Sequence, residues 1–480
     1  MKTISAMPSG PNQSGPAISD LRLKLVTFLV TGAMFMEVLD GTIIATALPQ
    51  MAQSFGTSAV ELNIGISAYL LALGVFIPAS GWVADRFGAR FVFALAICLF
   101  TLTSALCGMA TDLDSFVALR ILQGVSGAMM VPVGRLVVLR YTPQHKLMAA
   151  ISSLVWPALI APVIGPPLGG FITTHASWHW IFFLNVPLGV IALVACLLLV
   201  PRFEPENVKQ FDWLGFILCG AGTFALLSGL ERAVARIDAA GFGLLIVGLA
   251  LLVVSIRHFA RAAHPMLDLA PLQTATFKAS MRGGSISRMA IGSAPFLLPL
   301  MFQVGFGYDA FKSGLLLLIV FAGNLGMKAV TTPILRRFGY RRVMLWNGAF
   351  CVLSLAACAA LQPDTPFALF AVILFIGGMT RSMQFTALGT IAFADVPKAQ
   401  MSDANGLFNT VSQIAMAAGI TLGAMSARAG EVISVKFGLS GVAMDYRIAF
   451  LFTAVVALIG LIDMVRLPQG AGDHFLAKSR

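Results

Sequence analysis

Apolar residues fill the chain in long blocks, with the polar residues gathered between them. Windows of about 19 residues place apolar runs near 25–47, 64–82, 91–110, 116–139, 148–172, 181–200, 211–230, 240–258, 284–304, 313–333, 343–361, 366–393, 404–427 and 447–466. At about 1.5 Å per residue, runs of this length cross the ~30 Å hydrocarbon layer of a bilayer as helices. A helix satisfies its own backbone N–H and C=O groups, which lipid cannot do. The pattern predicts an all-α polytopic membrane protein with 14 transmembrane helices.

Composition strengthens this reading. Hydrophobic residues make up 58% of the chain and charged residues 11%, with a mean hydropathy of +0.88, too apolar for a soluble fold. The net charge of +11 does not point to nucleic acid, because the basic residues sit in short segments between spans. With the N-terminus inside, the inside segments and the span ends bordering them hold 22 of the 32 lysines and arginines, and the outside loops hold 6. The positive-inside rule then puts both termini in the cytoplasm. All six cysteines fall within apolar spans, as small buried hydrophobes. Residues 1–24 and 467–480 read as cytoplasmic tails, the first of them disordered.

A weak internal repeat divides the rest. "GWVADRFGAR" (81–90) has a counterpart in "TPILRRFGYR" (332–341), and an Arg-x-x-Gln pair occurs at Arg120/Gln123 and again at Arg381/Gln384. Spans 1–6 and 9–14 are then equivalent halves, with bundles at 25–200 and 284–466 and an inserted helix pair with its linker at 201–283. Parallel halves about a midplane cavity are a transporter architecture.

The remaining signals are charges where lipid should be. Glu37 and Asp40 lie three residues apart on one face of span 1. Each costs about 2.5–3.5 kcal/mol at a helix centre, so the pair needs protonation, a cationic partner or water. Such carboxylates can take up and release protons as a coupling site does. Arg120 on span 4 is placed to meet Asp40, and proton uptake would weaken that contact. Arg381 lies more than ten residues from either end of its span, so it calls for water, cargo or a carboxylate, with Glu37 one candidate. Gln123 and Gln384 accompany the two arginines in the expected cavity. Lys328 and Arg288, nearer span ends, are expected to snorkel. Gly81, Asp85, Arg86, Gly88 and Arg90 form a tight cytoplasmic turn able to latch one conformation. Gly165, Pro166, Pro167, Gly169 and Gly170 should loosen span 5 and allow close backbone approach. His175 and His179, interleaved with Trp178 and Trp180, fit an interfacial aromatic belt better than a metal pair. No P-loop is present, so energy is expected from a gradient rather than a nucleotide or other cofactor.

Taken in order, "LDGTIIATALP", "GWVADRFGAR", "RILQGVSGA", "GPPLGG", "SWHWIFFLNVPLG" and "FDWLGFILCGAGTFALLSGLE" resemble the fourteen-helix drug:proton antiporter branch of the major facilitator superfamily, of the EmrB/QacA type. The resemblance covers nearly the whole chain. It implies a bacterial inner-membrane exporter of hydrophobic or amphipathic small molecules, driven by proton influx, with Asp40 and Arg120 at the family's first-helix and fourth-helix motif positions. It also implies the "GPPLGG" stretch as the antiporter signature. Arg336 stands where Asp85 does in the first loop motif, and His179 where the family usually has arginine. Family members in double-membraned bacteria often work with a periplasmic adaptor and an outer-membrane channel. A dedicated exporter of a metabolite or siderophore, and a proton symporter importing a nutrient, stay open as alternatives. A membrane enzyme is disfavoured, since no loop exceeds about 30 residues.

Overall fold

The computed structural model describes residues 19–142, 147–201, 210–235, 239–397, 400–439, 441–468 and 470–472. Most of the N-terminal tail, the end of the C-terminal tail and part of the expected linker lie outside the described residues.

Fourteen long helical stretches follow one another, with no strand among the described residues. They are α1 (Asp20–Ile43), α2 (Asn63–Phe87), α3 (Ala89–Cys107), α4 (Leu113–Tyr141), α5 (Leu147–His175), α6 (Asn185–Leu199) and α7 (Trp213–Ala235). The others are α8 (Ala239–Phe259), α9 (Ala275–Gly305), α10 (Ala310–Phe338), α11 (Tyr340–Cys358), α12 (Phe367–Ala394), α13 (Met401–Lys436) and α14 (Met444–Gly460). Among the described residues, 12 stretches are long and apolar enough to cross a membrane. The remaining two, α5 and α11, occupy the places expected for spans 5 and 11. The 14-span reading is compatible with this set. Helix ends overshoot the apolar runs: α13 extends for 36 residues, because a helix continues past the bilayer where its backbone bonds allow. α9 is a compound element, interrupted at Arg282 (φ −83°, ψ −82°) and ending in a π-turn at Met301–Gly305.

Packing repeats between the halves. α1 packs on α5 and α6, α2 on α4, and α3 on α4 and α6; α9 packs on α13 and α14, α10 on α12, and α11 on α12 and α14. The halves meet along two seams, α2 with α13 and α5 with α10. α7 and α8 pair with each other, and α7 leans on α2 and α13.

Close backbone approaches set the register. Gly88 (φ 87°) turns α2 into α3, and Gly339 (φ 74°) turns α10 into α11, both in a region that side chains disfavour. The offset carrying Gly88 onto Gly339 also carries Tyr69 onto Val320. Gly124 on α4 lies against the Tyr69 carbonyl and Gly378 on α12 against the Val320 carbonyl. Gly124 therefore matches Gly378, Gly127 matches Arg381, and Arg120 matches Leu374. The sequence echo of Arg120/Gln123 in Arg381/Gln384 is thus not one of position. The second pair sits about two helical turns further along its helix.

The glycine-proline stretch of span 5 does not interrupt α5, which is helical from Leu147 to His175. A Cβ at Gly165 or Gly169 would collide with Thr42 and the Ile43 carbonyl of α1, and one at Gly170 with the Ala310 carbonyl of α10. Gly314 of α10 is pressed in the same way on the Pro166 carbonyl. The motif lets α5 lie wedged between its own half and the other.

The two ends of the bundle differ. Where α1 stops, one apolar cluster joins both halves, with Ile43, Leu48, Phe116 and Trp178 packed together with Phe296, Phe302, Leu361 and Phe450. Gln303 Nε2 donates to the Thr46 carbonyl (3.1 Å) and Phe311 N to Thr174 Oγ1 (3.2 Å), crossing between halves. Where α1 starts, the clusters separate: Val26, Phe93 and Val137 belong to one half, and Met327, Met344 and Met464 to the other. Arg135 and Lys328, nearer that end of their helices, are exposed. The halves are joined at one end and part at the other.

Candidate functional site

Asp40 lies within the N-terminal half, 1% exposed. Arg120 Nη1 of α4 donates to its Oδ2 at 2.7 Å, with both side chains fully buried. Gln123 Nε2 donates to Oδ1 at 3.0 Å, and Asn185 Nδ2 of α6 donates to the same oxygen at 2.8 Å. Arg120 also donates to Gln123 Oε1 at 2.7 Å and lies over the Tyr69 ring, 4.2 Å from its centroid. Asn185 is itself fixed by Ser104 Oγ (3.0 Å), which donates to the Phe182 carbonyl. One carboxylate thus ties α1, α4 and α6 together, and α2 covers the arginine. Burying two charges is tolerable here because the pair is also hydrogen-bonded.

Glu37, one turn away on α1, is in a different state. It is half-buried, and its Oε2 has no hydrogen-bond partner. A Cβ placed on Gly127 would lie 3.5 Å from both Glu37 Cδ and Tyr69 Oη, so carboxyl and phenol border the same small space. A half-buried carboxyl with no ion-pair partner among the described residues can exchange a proton. Asp40 is already committed to three donors.

Sequence reasoning paired Asp40 with Arg120, and the structure brings these together; Gln123, expected to line the cavity, instead joins the pair by donating to Asp40. Sequence reasoning missed Asn185, Tyr69 and Ser104. Asn185 stands inside the quoted "SWHWIFFLNVPLG", and an amide in so apolar a run was the available signal. Glu37 and Arg381 form no ion pair among the described residues. Arg288 does not snorkel to water. It is 2% exposed, with Nη1 donating to the Ser280 carbonyl (3.0 Å) and the guanidinium over Phe408. Lys328 donates to Thr386 Oγ1 of α12 at 2.8 Å. Arg90 holds the Leu197 carbonyl of α6, while Gly81 has open space around its Cβ position. Asp85 and Arg86 lie in the last turn of α2 at the end where the halves part. His175 stacks on Phe171 and His179 on Trp178, which occupies both rings in aromatic packing.

A family model described as Major Facilitator Superfamily matches residues 30–420. MdtD of Klebsiella pneumoniae, which bears the name of a multidrug resistance protein, is 35% identical over 467 residues, covering 94% of this chain and 96% of its own. MdtD of Escherichia coli is 35% identical over 471 residues with the same coverage. Among solved structures, an auto-inhibited POT family peptide transporter superposes with a TM-score of 0.66 at 16% identity, covering 92% of this chain and 97% of that one; this is a likeness of fold. Motifs, helix pairing and relatives along nearly the whole length agree, and the chain belongs to the Major Facilitator Superfamily.

Proposed function

We propose that the chain is a proton-coupled antiporter that exports hydrophobic or amphipathic small organic molecules across the bacterial inner membrane by alternating access. The observation that carries this is the pairing of two unlike carboxyls in one membrane helix: Asp40 locked to Arg120, and Glu37 one turn away with an unpartnered oxygen. The multidrug resistance name borne by the relatives supports the export direction. Residues 25–200 and 284–466 act as the rocking bundles and 201–283 as the insert. Both termini are cytoplasmic, so the parted end faces the cell interior.

In this reading Glu37 carries the proton and the Asp40–Arg120 contact reports its charge to α4 and α6. Glu37, Arg381 and Gln384 belong to the cargo cavity, whereas Gln123, expected there from the sequence, is buried with its amide spent on Asp40 and Arg120. The loop residues Gly81, Asp85, Arg86, Gly88 and Arg90 govern closure at the inner end, while Gly165, Pro166, Gly169 and Gly170 form the pivot against α1 and α10. The energy source is the proton gradient, with no bound cofactor. One proton moving through ~100 mV supplies about 2.3 kcal/mol, roughly a 50-fold concentration ratio. A periplasmic adaptor and outer-membrane channel rest on the resemblance alone, and co-purification from a crosslinked envelope tests them.

The deciding experiment is transport of a panel of amphipathic probes into proteoliposomes under an imposed pH gradient. Gradient-dependent flux abolished by an uncoupler, and strongly reduced in Glu37→Gln, is expected. Wild-type flux indifferent to the gradient would sink the proposal.

A further inference from the structure

The N-terminal half completes an Arg-x-x-Gln donor pair with a carboxylate of its own: Asp40 takes Arg120 on Oδ2 and Gln123 on Oδ1. The C-terminal half carries the same pair without an acid. Arg381 is 7% exposed and Gln384 1%. Arg381 Nε and Gln384 Nε2 are both buried and have no hydrogen-bond partner. The orientation of Gln384 is fixed, because its Oε1 accepts from Asn347 Nδ2 at 2.9 Å and Asn347 Nδ2 is held by the Thr380 carbonyl at 2.8 Å. Two N–H donors one helical turn apart therefore lack an acceptor; Arg120 also leaves Nε and Nη2 unpaired, so the pairs differ in the unpaired Gln384 amide and in the missing carboxylate. Buried donors left unmade are costly, and a charged one most of all.

The surroundings have the same sign. Lys328 and Arg288 flank α12, bonded to Thr386 and Ser280, and among the described residues neither they nor Arg381 form an ion pair with a carboxylate. Arg381 also stands at the level of Gly127, the position that borders Glu37 in the other half. It is one turn from Phe385 and Thr386, where α12 changes from buried to half-buried.

We propose that Arg381 and Gln384 form an anion subsite that receives the carboxylate of an organic-anion cargo, filling the place Asp40 fills for Arg120 and Gln123. This rests on the reading of the cavity given above. A planar carboxylate suits it, since its two oxygens can take a guanidinium and an amide at once, at the 2.7 and 3.0 Å seen around Asp40. Lys328 adds attraction at longer range. Cargo and proton then carry opposite charges and bind to opposite walls, so their exchange is not competition for one group and must pass through the conformation of the two halves.

The test is binding to the purified full-length chain in detergent, read by thermal stabilisation, with 2-naphthoate and its neutral isostere 2-naphthamide as probes. Wild type is expected to bind the carboxylate and to bind the amide far more weakly. Arg381→Gln should weaken naphthoate binding by roughly tenfold to a hundredfold, the range of a lost charge-assisted hydrogen bond, with Arg381→Lys in between. Gln384→Glu places a carboxylate three residues from Arg381, so it should fill the subsite from within and abolish naphthoate binding while the protein stays as heat-stable as wild type. Equal binding of naphthoate and naphthamide, or undiminished naphthoate binding by Arg381→Gln or Gln384→Glu, would overturn the subsite. Binding is read without a pH gradient, so failure of gradient-driven transport with anion binding intact would count against the export reading alone.

Discussion

Replacing Asp40 with asparagine removes one charge of a pair in which neither side chain is exposed. Arg120 then keeps its charge with no counter-ion, and three donors converge on a group offering one acceptor oxygen instead of two. Breaking a buried pair from one side costs about 3–5 kcal/mol, much of it from the orphaned charge. Arg120→Gln orphans the carboxylate in the same way. The double substitution Asp40→Asn/Arg120→Gln leaves neither charge, so it should be more stable than the sum of the single costs by about 2 kcal/mol, roughly 30-fold in the folded ratio. Denaturant titration of the full chain in detergent measures the cycle, and proteoliposome flux measures function on the same samples. Stability should partly return in the double variant while gradient-driven export stays lost. Additivity to within about 0.5 kcal/mol would refute the energetic coupling. Wild-type export by Asp40→Asn or by the double variant would refute the coupling role.

Gly314→Val drives a branched side chain into the Pro166 carbonyl and the backbone of Pro167, neither of which can yield. We expect a loss of about 1–3 kcal/mol and of export, whereas Gly32→Ala on α1, with open space at its Cβ position, should be neutral or slightly stabilising in a thermal scan. Glu61, in the turn before α2, is held below the usual glutamate range by the Thr57 hydroxyl (2.6 Å) and the Ser58 backbone N–H (3.1 Å). Its folded value is depressed, so its contribution is present above the unfolded value near 4.5 and lost as pH falls through the folded value. Glu61→Gln should therefore flatten the acid limb of a stability-against-pH curve below about pH 4.5, and an unchanged acid limb would count against these contacts.

The spans were readable because bilayer thickness imposes a length on apolar runs, and Asp40 and Arg120 because charge in lipid is too costly to be incidental. Lone uncharged polar residues carry a weaker cost signal. Tyr69, Ser104 and Asn185 become part of the site only through contacts between helices. Depth was the other hidden quantity. An Arg-x-x-Gln spacing shows that two side chains share a face, but not how far along the bilayer normal they sit. The crossings at Gly124 and Gly378 set that, and they place Arg381 at the level of Gly127 rather than of Arg120. Span 5 was read as a weakened helix because proline and glycine act on the backbone locally, whereas here the glycines serve as contact surface for α1 and α10.

The inserted pair has a consequence for how molecules dissolved in the bilayer approach. The two seams would be interchangeable if the halves were alone, since each joins the second helix of one half to the fifth of the other. α7 rests across α2 and α13 and so curtains one seam with protein. Lipid-borne molecules therefore meet two unlike flanks, and the side at α5 and α10 is closed, among the described residues, only by the two helices themselves, pressed together at Gly170 and Gly314. The insertion makes a protein of symmetric descent asymmetric toward its membrane, with one flank walled and the other left as a threshold.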